Sequence, residues 1–375
     1  MSLFNVYPLF DITPVKAKDV YVYDENEIEY LDLYGGHAVI SIGHSHPSYV
    51  KNVSDQVANL GFYSNSIQNP LQRELAEEII KQSDCEDYEL FLCNSGAEAN
   101  ENALKLASFY TGKKKVIAFK NGFHGRTSAA VAATDNAKIV APINAQQEVA
   151  FADFGNSEQV ETILKEGDVC AIIVETIQGI GGLDEGSTEF YQSLESLATQ
   201  YGALLIVDEI QCGFGRTGDF FAFQKHGIQP DIISMAKGMG NGFPVGGILI
   251  HPKIEASFGL LGTTFGGNHL ACAASLAVLE VLKMENLLNH AKEMEAYFKE
   301  QLNQFSQVKA IKGRGLILGL EFDFPIAELR KDLIHNHHIF TGSAKNPNLL
   351  RILPPLTVQL KHIDQFVSAL KKELS

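Results

Sequence analysis

Leu204-Leu-Ile-Val-Asp208 places four apolar residues directly before a carboxylate. Such a short apolar run predicts a strand buried on both faces, which is typical of a parallel sheet covered by helices. Ligands of open α/β sheets bind beyond the carboxyl ends of the strands. A carboxylate at that position costs free energy unless a cation or hydrogen-bond donors accompany it. Asp208 is therefore a candidate binding residue, with capping of the next turn as an equally weighted alternative.

A second strand, Asp231-Ile-Ile-Ser-Met-Ala236, is followed at once by Lys237 and a glycine-rich loop. Desolvation at a strand end lowers the pKa of a lysine and makes its amine a nucleophile toward carbonyls. Taken alone, a surface lysine is the better interpretation. Lys237 and Asp208 together suit pyridoxal phosphate, which needs a lysine for its aldehyde and an acid near its ring nitrogen.

Short apolar runs alternate with amphipathic helical stretches from about residue 90 onward. This alternation predicts an α/β fold, with a mostly parallel sheet flanked by helices and a smaller α+β unit formed by the N- and C-terminal segments. A hairpin is predicted near residues 20–31, and one long helical pattern is interrupted near Glu285-Asn286. We predict an N-terminal segment (1–60) that joins the small domain, a large domain (61–290) and a C-terminal small domain (291–375).

Composition excludes several classes of protein. The 375 residues include 30 Lys+Arg and 45 Asp+Glu, a formal charge of −15, and 45% are hydrophobic, so a wholly disordered chain is excluded. An acidic chain without a dense basic cluster argues against nucleic acid as a partner. No run of about 18 apolar residues is present, so no membrane partner is expected. Five cysteines without a C-x-x-C spacing, and a start that lacks signal-peptide features, predict reduced thiols in the cytoplasm.

A candidate anion cradle lies in Asn94-Ser-Gly-Ala-Glu-Ala-Asn-Glu101, which follows a predicted strand and opens a helix. Ser95 can cap that helix, and the free N–H groups of Gly96 and Ala97 can face a phosphate. A plain N-cap is the alternative. The loop Gly262-Thr-Thr-Phe-Gly-Gly-Asn268 is a second candidate, and Phe123 either stacks on an aromatic ligand or belongs to the core.

Two arginines are candidates for binding a substrate carboxylate. Arg126 lies in Gly122-Phe-His-Gly-Arg126, and Arg351 lies in the apolar run Leu349-Leu-Arg-Ile-Leu-Pro-Pro355. Guanidinium groups bind carboxylates in a bidentate manner, although structural ion pairs are the alternative. The histidine clusters at 44–46 and 335–338 lack metal-ligand spacing and a matching third ligand, so no metal site is predicted.

Several stretches, in this order, resemble the class-III aminotransferases of pyridoxal-phosphate fold type I, most closely the acetylornithine and ornithine aminotransferase group. The resemblance covers nearly the whole chain from about Pro14. The stretches are Asn94-Ser-Gly-Ala-Glu-Ala-Asn, Phe123-His-Gly-Arg-Thr127, Asp208-Glu-Ile-Gln-Cys-Gly-Phe-Gly-Arg-Thr-Gly218, Ala236-Lys237-Gly, Gly262-Thr-Thr-Phe-Gly-Gly-Asn and Arg351-Ile-Leu-Pro-Pro.

The resemblance implies how the chain holds pyridoxal 5'-phosphate. Lys237 would bond covalently to the cofactor aldehyde, and Asp208 would pair with the pyridine nitrogen. Gln211 would approach the phenolic oxygen. Ile210 would press on one face of the ring and Phe123 on the other.

The same resemblance implies a phosphate site and a homodimer. Ser95, Gly96 and Ala97 would hold the cofactor phosphate, and Thr264 would reach the phosphate bound by the neighbouring subunit. The active unit would therefore be a homodimer whose active sites are shared between subunits.

For substrates, the resemblance implies an N-acylornithine (acetyl or succinyl) and the pair glutamate/2-oxoglutarate, in arginine biosynthesis. Arg126 would bind the carboxylate remote from the reacting amine, with Thr263 nearby, and Arg351 would bind the α-carboxylate of glutamate or 2-oxoglutarate. The alternatives are an ω-amino acid aminotransferase acting on ornithine, 4-aminobutyrate or N-succinyl-diaminopimelate and, more remotely, a non-catalytic pyridoxal-phosphate-binding regulator.

Two positions depart from the family pattern. Many relatives carry a Glu where this chain has Ile180, and that Glu would neutralise the arginine that matches Arg351 while the donor is bound. Ile180 cannot do so, which suggests that Arg351 meets an anionic acyl substituent and favours N-succinylornithine. His37 lies where acetylornithine enzymes tend to be aliphatic, so its ring either touches the acyl group or fills a loop.

Overall fold

The N-terminal part of the chain forms a small antiparallel sheet followed by helices. In the computed structural model, which describes residues 3–375, the pairing of Val22 with Tyr30 confirms the predicted hairpin. A short turn that follows, α1, has positive φ angles at all four of its residues. The elements are β1 (Pro14–Lys18), β2 (Tyr21–Asp24), β3 (Glu29–Asp32), α1 (Gly35–Ala38), α2 (Pro47–Asn59) and α3 (Pro70–Ser83).

A seven-stranded sheet lies at the centre of the described residues. It consists of β4 (Glu89–Cys93), β5 (Lys115–Phe119), β6 (Val149–Ala152), β7 (Val169–Glu175), β8 (Leu204–Asp208), β9 (Ile232–Met235) and β10 (Gly246–Ile250). The order is β4-β10-β9-β8-β7-β5-β6, and β10 runs in the direction opposite to the other six strands. This confirms the predicted, mostly parallel sheet. The apolar pattern did not predict β6, an edge strand that is only partly buried.

Helices cover the central sheet and begin where the sequence supplies caps. They are α4 (Gly96–Thr111), α5 (Ser128–Ala132), α6 (Ser157–Lys165), α7 (Thr188–Tyr201), α8 (His269–Met284) and α9 (Leu287–Leu302). The side chain of Asn268 accepts from Ala271 N and starts α8. Asn286 has a φ of 51°, and this left-handed residue separates α8 from α9 near the predicted interruption.

The C-terminal part forms a second small sheet and two helices. Its elements are β11 (Ala310–Arg314), β12 (Ile317–Glu321), α10 (Ala327–His337), β13 (Ile339–Phe340), β14 (Gly342–Ser343), β15 (Leu349–Ile352) and α11 (Leu360–Glu373). Strand β13 pairs in parallel with β3 through Ile339 and Leu31, so the two ends of the chain share a sheet. The division at residues 60 and 290 stays a prediction.

The sheet positions the two candidate catalytic residues next to each other. Strands β8 and β9 are fully buried parallel neighbours, and Asp208 pairs in register with Ser234. Lys237 comes three residues after Ser234, at the same edge of the sheet. Parallel strands therefore bring together two side chains that are far apart in sequence.

Candidate active site

A cavity of about 360 Å³ opens at the carboxyl ends of the central strands. Its wall contains most of the residues that the sequence singles out: Ser95, Gly96, Ala97, Phe123, Arg126, Asp208, Ile210, Gln211 and Lys237. Ile180 also lines it. Thr263, Thr264 and Arg351 do not belong to this wall.

Three hydrogen bonds hold the Asp208 carboxylate in one orientation. Oδ2 accepts from Asn100 Nδ2 and from His124 Nδ1, each at 2.8 Å, and Oδ1 accepts from Ile210 N at 3.0 Å. Asp208 is 4% exposed, so these donors replace water around the charge. The buried carboxylate is thus fixed by donors from α4, from the loop after β5 and from its own turn.

Asn100 and His124 are site residues that the sequence analysis missed. Burial by itself lowers the pKa of His124, but the hydrogen bond and the negative charge of Asp208 raise it above its ordinary value. Both lie inside family-like stretches, which was a usable signal. Asn100 follows Gly96 by one helical turn, and only the folded helix shows that it faces Asp208.

Lys237 has the strained backbone and the lowered pKa expected of a reactive amine. Its φ is 46°, in the left-handed region that disfavours a residue with a side chain, and its carbonyl accepts from Gly240 N at 3.0 Å. Burial lowers its pKa, while the negative charges of Asp208 and Glu175 oppose that shift. Lys237 is therefore held rigidly and loses its proton more easily than an exposed lysine.

Glu175, at the end of β7, forms hydrogen bonds to two loops that border the cavity. Its carboxylate accepts from Phe123 N at 2.9 Å and from Gly179 N at 3.0 Å. Burial raises the pKa of Glu175 to about 7. A Cβ on Gly179 would lie 1.9 Å from Gln211 Oε1, so a larger residue there would displace the Gln211 amide. Glu175 thereby fixes the backbone at Phe123 and at Gly179, both beside the cavity.

The stretch predicted to be an anion cradle contains the N-cap and the first turn of α4. Ser95 Oγ accepts from Glu98 N at 3.2 Å and caps the helix. The N–H groups of Gly96 and Ala97 have no acceptor within the helix because they belong to its first turn. A Cβ on Gly96 would lie 2.8 Å from Ile210, so the glycine lets Ile210 approach the cavity. This helix terminus can receive a phosphate.

The candidate substrate residues are spread around the cavity. Arg126 is exposed at its rim. Thr263 Oγ1 accepts from Gly266 N at 3.0 Å, and Thr264 is exposed on the same loop. Arg351 is 2% exposed and donates from Nη1 to the carbonyl oxygen of Gly179 at 2.8 Å. His37 has a φ of 71° in the left-handed turn α1.

The described residues hold neither a metal-binding cluster nor a membrane-spanning helix. Residues 3–375 bring together no group of three or more His, Cys, Asp or Glu side chains suited to a metal ion. Among those residues, no helix has both the length and the apolar character that crossing a membrane requires.

The cavity fits pyridoxal phosphate on its own geometry. An amine with a lowered pKa, a fixed carboxylate and a helix N-terminus surround one space, and the buried Gln211 Oε1 has no hydrogen-bond partner there. These are the groups needed for an aldehyde, a ring nitrogen, a phosphate and a phenolic oxygen. Fold and site together define a pyridoxal-phosphate enzyme of fold type I.

The chain belongs to the class-III aminotransferases, because the family model described as "Aminotransferase class-III" matches residues 5–374. It is thus a pyridoxal-phosphate-dependent transaminase. It is 41% identical over 380 residues to the acetylornithine aminotransferase of Bacillus subtilis, covering 100% of this chain and 98% of that one. The acetylornithine aminotransferase of Aquifex aeolicus is 39% identical, with 99% of each chain covered.

Solved structures agree on the fold. The ornithine aminotransferase of Toxoplasma gondii ME49 superposes with a TM-score of 0.92 at 27% identity, covering 99% of this chain and 92% of that one. An aminotransferase of Bacillus anthracis superposes with a TM-score of 0.88 at 26% identity, covering 97% and 93%. The predicted fold class is confirmed.

Glu209, the neighbour of Asp208, gives the folded chain a pH-dependent stability. It is buried and accepts from Thr176 Oγ1 at 2.9 Å and from the N–H groups of Ala222 and Phe223. Burial raises its pKa from 4.5 to about 7. Because the pKa is higher in the folded state, its stabilising contribution is complete below about pH 4.5 and is lost as the pH rises through about 7. This group should lower the free energy of unfolding by up to about 3 kcal/mol over that interval.

Glu209→Gln, which does not titrate, tests this expectation. Urea unfolding of the wild type and the variant at several pH values between about 5 and 8 should give a smaller loss of stability with rising pH in the variant. The variant loses one acceptor, so its stability at acidic pH should also be lower. If the free energy of unfolding changes equally with pH in the two proteins, the raised pKa of Glu209 is wrong.

Proposed function

We propose that this chain transfers the δ-amino group of an N-acylornithine to 2-oxoglutarate, or the reverse from glutamate, in arginine biosynthesis. The observation that carries the proposal is full-length similarity, at 36–41% identity, to relatives named acetylornithine aminotransferase. The site supports it, because Lys237 and Asp208 share a cavity with Arg126 at the rim. The acyl group of the donor is acetyl or succinyl.

Each site residue has a defined task in this proposal. Pyridoxal phosphate, when bound, supplies an aldehyde that accepts the amino group and an electron-poor ring that stabilises negative charge. Lys237 Nζ would hold the aldehyde, and its amine would move the proton at the carbon that bears the substrate amine. Asp208, held by Asn100 and His124, would keep the ring nitrogen protonated.

The remaining residues bind the cofactor and orient the substrates. Gln211 meets the phenolic oxygen, and Phe123 and Ile210 enclose the ring. Ser95, Gly96 and Ala97 bind the phosphate at the helix terminus. The carboxylates of the substrates are assigned to Arg126, with Thr263 nearby, and to Arg351.

The alternative ω-amino acid activity, on ornithine, 4-aminobutyrate or N-succinyl-diaminopimelate, is not favoured. The solved ornithine aminotransferases are 25–28% identical to this chain, below the identity of the acetylornithine aminotransferases. A non-catalytic role is also not favoured, because Lys237 and Asp208 are both present in the cavity.

The cofactor absorbance band of the holoenzyme provides the test. We expect an N-acylornithine to bleach the band in the absence of 2-oxoglutarate, and 2-oxoglutarate to restore it. Ornithine and 4-aminobutyrate are the comparison amines. A band that responds to either of these, but to neither N-acetylornithine nor N-succinylornithine, would overturn the proposed substrate class.

We also propose a homodimer with shared active sites. Exposed apolar side chains surround the loop that carries Thr263 and Thr264, and Phe62 packs against Phe265 with ring centroids 5.4 Å apart. Large exposed apolar side chains near one loop are typical of a protein interface. The side chains are Phe62, Tyr63, Ile67, Phe258 and Phe265.

Shared sites predict recovery of activity in mixed dimers. The Lys237→Ala homodimer and the Thr264→Ala homodimer should both have lower transaminase activity than the wild type. The loss should be far larger for Lys237→Ala. A mixed dimer has one site with both residues intact, because Lys237 and Thr264 of one site come from different subunits. Co-refolded mixtures should therefore regain activity above the sum of the two homodimers. If the activity of the mixture equals the sum of the two homodimer activities, the active sites are not shared between subunits. Sedimentation velocity measures whether the protein is a dimer.

Domain organisation and location complete the proposal. The pairing of β13 with β3 supports a small domain built from segments 1–60 and 291–375 beside a large domain of residues 61–290. The five cysteines are free and buried, which supports a cytoplasmic enzyme.

A further inference from the structure

The turn α1 has a backbone conformation that L-amino acids rarely adopt. The φ angles of Gly35, Gly36, His37 and Ala38 are 55°, 55°, 71° and 61°. A single left-handed residue is common at the end of a helix, but four in succession form a left-handed turn, and two of these four carry side chains. Strain of this kind persists only where the surrounding structure enforces it, and it is concentrated at functional sites. The turn is therefore a candidate for a role in the active site.

Hydrogen bonds fix the chain on both sides of this turn. Before it, the buried Asp32 carboxylate accepts from Tyr34 N at 2.9 Å and from Gly35 N at 2.8 Å. After it, Asn241 Oδ1 accepts from Ser41 N at 2.8 Å. Asn241 belongs to the glycine-rich loop that follows the catalytic lysine. The left-handed turn is thus held between β3 and the loop of that lysine.

The turn contacts the cavity wall through the carbonyl oxygen of His37. This oxygen accepts from Gln211 Nε2 at 3.3 Å. Gln211 lines the cavity and is 6% exposed. A carbonyl oxygen can only accept a hydrogen bond, so it must meet the NH₂ end of the amide. The contact therefore determines which way round the Gln211 amide lies.

The imidazole ring of His37 is directed elsewhere. The residue is exposed, and its ring is hydrogen-bonded to the Tyr34 hydroxyl. The left-handed backbone turns the carbonyl toward the cavity wall and the ring toward Tyr34. The backbone of His37, and not its side chain, is thus the part that reaches Gln211.

The Gln211 amide keeps one donor for a bound group. Nε2 carries two N–H groups, and the contact with His37 uses one of them. Among residues 3–375, Nε2 makes no second hydrogen bond. The phenolic oxygen of pyridoxal phosphate, which is assigned to Gln211, is negatively charged when deprotonated and then accepts strongly from an N–H group. The second N–H of Nε2 is suited to that oxygen.

We propose that His37 is a positioning residue, whose backbone carbonyl orients the Gln211 amide so that its second N–H donates to the phenolic oxygen of the cofactor. The left-handed turn is the device that presents this carbonyl. The inference rests on the assignment of Gln211 in the proposed function and extends it to a segment that does not itself touch the cofactor.

Gly36 allows a substitution that changes only the backbone of the turn. A Cβ there would meet no atom within 4 Å, so Gly36→Ala adds strain at a φ of 55° without a clash. The turn should relax and withdraw the His37 carbonyl, and negative charge on the phenolic oxygen is then less stabilised. We expect the midpoint of the pH titration of the cofactor band, measured on the holoenzyme without substrates, to rise by about 0.5 pH units or more.

Gly227→Ala is the matched control. Gly227 has a φ of 63°, a Cβ there would also meet no atom within 4 Å, and the residue is not part of the cavity wall. This variant should lose about as much stability in urea unfolding as Gly36→Ala and keep the wild-type midpoint. Gly36→Asn should raise the midpoint less than Gly36→Ala, because Asn tolerates the left-handed region better. His37→Asn retains the carbonyl and should keep the wild-type midpoint.

A double-mutant cycle tests whether the turn acts through Gln211. Gln211→Met removes the amide and should raise the midpoint by about 1 pH unit. Gly36→Ala added to Gln211→Met should then raise it no further, because the group that the turn orients is absent.

The outcomes separate this inference from the proposed function. The inference fails if the midpoint in Gly36→Ala is unchanged or falls, if Gly227→Ala raises it equally, or if Gly36→Ala raises it as much in the Gln211→Met background. Should Gly36→Ala not fold, Gly36→Asn provides the same comparisons. If Gln211→Met leaves the midpoint unchanged, the assignment of Gln211 to the phenolic oxygen is itself wrong. Bleaching of the band by an N-acylornithine tests the proposed substrate class independently of all these variants.

Discussion

Lys237→Ala is expected to lower the rate of transamination by about 10⁴-fold or more, because the group that binds the cofactor aldehyde and moves the proton is lost. The absorbance of the covalently attached cofactor should disappear as well. The phosphate cradle at α4 and the carboxylate of Asp208 remain, so the protein should still bind the cofactor without the covalent bond. Steady-state assays and the visible spectrum of the purified variant measure both effects.

Lys361→Ala is the matched control for this change. Lys361 is exposed near the start of α11, far in sequence from the cavity residues, and its loss should leave both the rate and the spectrum unchanged. A small primary amine added to Lys237→Ala should restore part of the rate, because it can carry the proton in place of Nζ. Full transamination by Lys237→Ala would refute the central assignment.

Asp208→Asn is expected to lower kcat by about 10²- to 10⁴-fold while the cofactor remains bound. The amide cannot supply the negative charge that keeps the ring nitrogen protonated. His124 would also lose the anion that raises its pKa. Single-turnover rates with the donor alone should show the loss directly, because they exclude binding and release of the acceptor.

The neighbouring carboxylate offers the comparison for Asp208. Glu209→Gln removes a buried acid one residue away whose hydrogen bonds go to Thr176, Ala222 and Phe223 and not to the cavity. This variant should change stability with pH and leave the single-turnover rate within a few-fold of the wild type. If Asp208→Asn kept a rate similar to that of Glu209→Gln, the role of Asp208 at the ring nitrogen would be wrong.

The sequence alone determined the features that depend on neighbours along the chain. The apolar runs of β8 and β9 predicted buried parallel strands, and both carry their functional residues at or after the carboxyl end. Ser95 predicted the cap of α4, and its side chain accepts from Glu98 N as expected. These features were readable because burial periodicity and capping act over a few residues.

Only the tertiary structure decided which distant side chains meet. Asn100 and His124 converge on Asp208 from other elements, and no local pattern indicates this contact. Arg351 donates to the carbonyl oxygen of Gly179, which lies 172 residues away in the sequence. Hydrogen bonds and charge interactions act through space, so their partners depend on how strands and helices pack and not on spacing in the sequence.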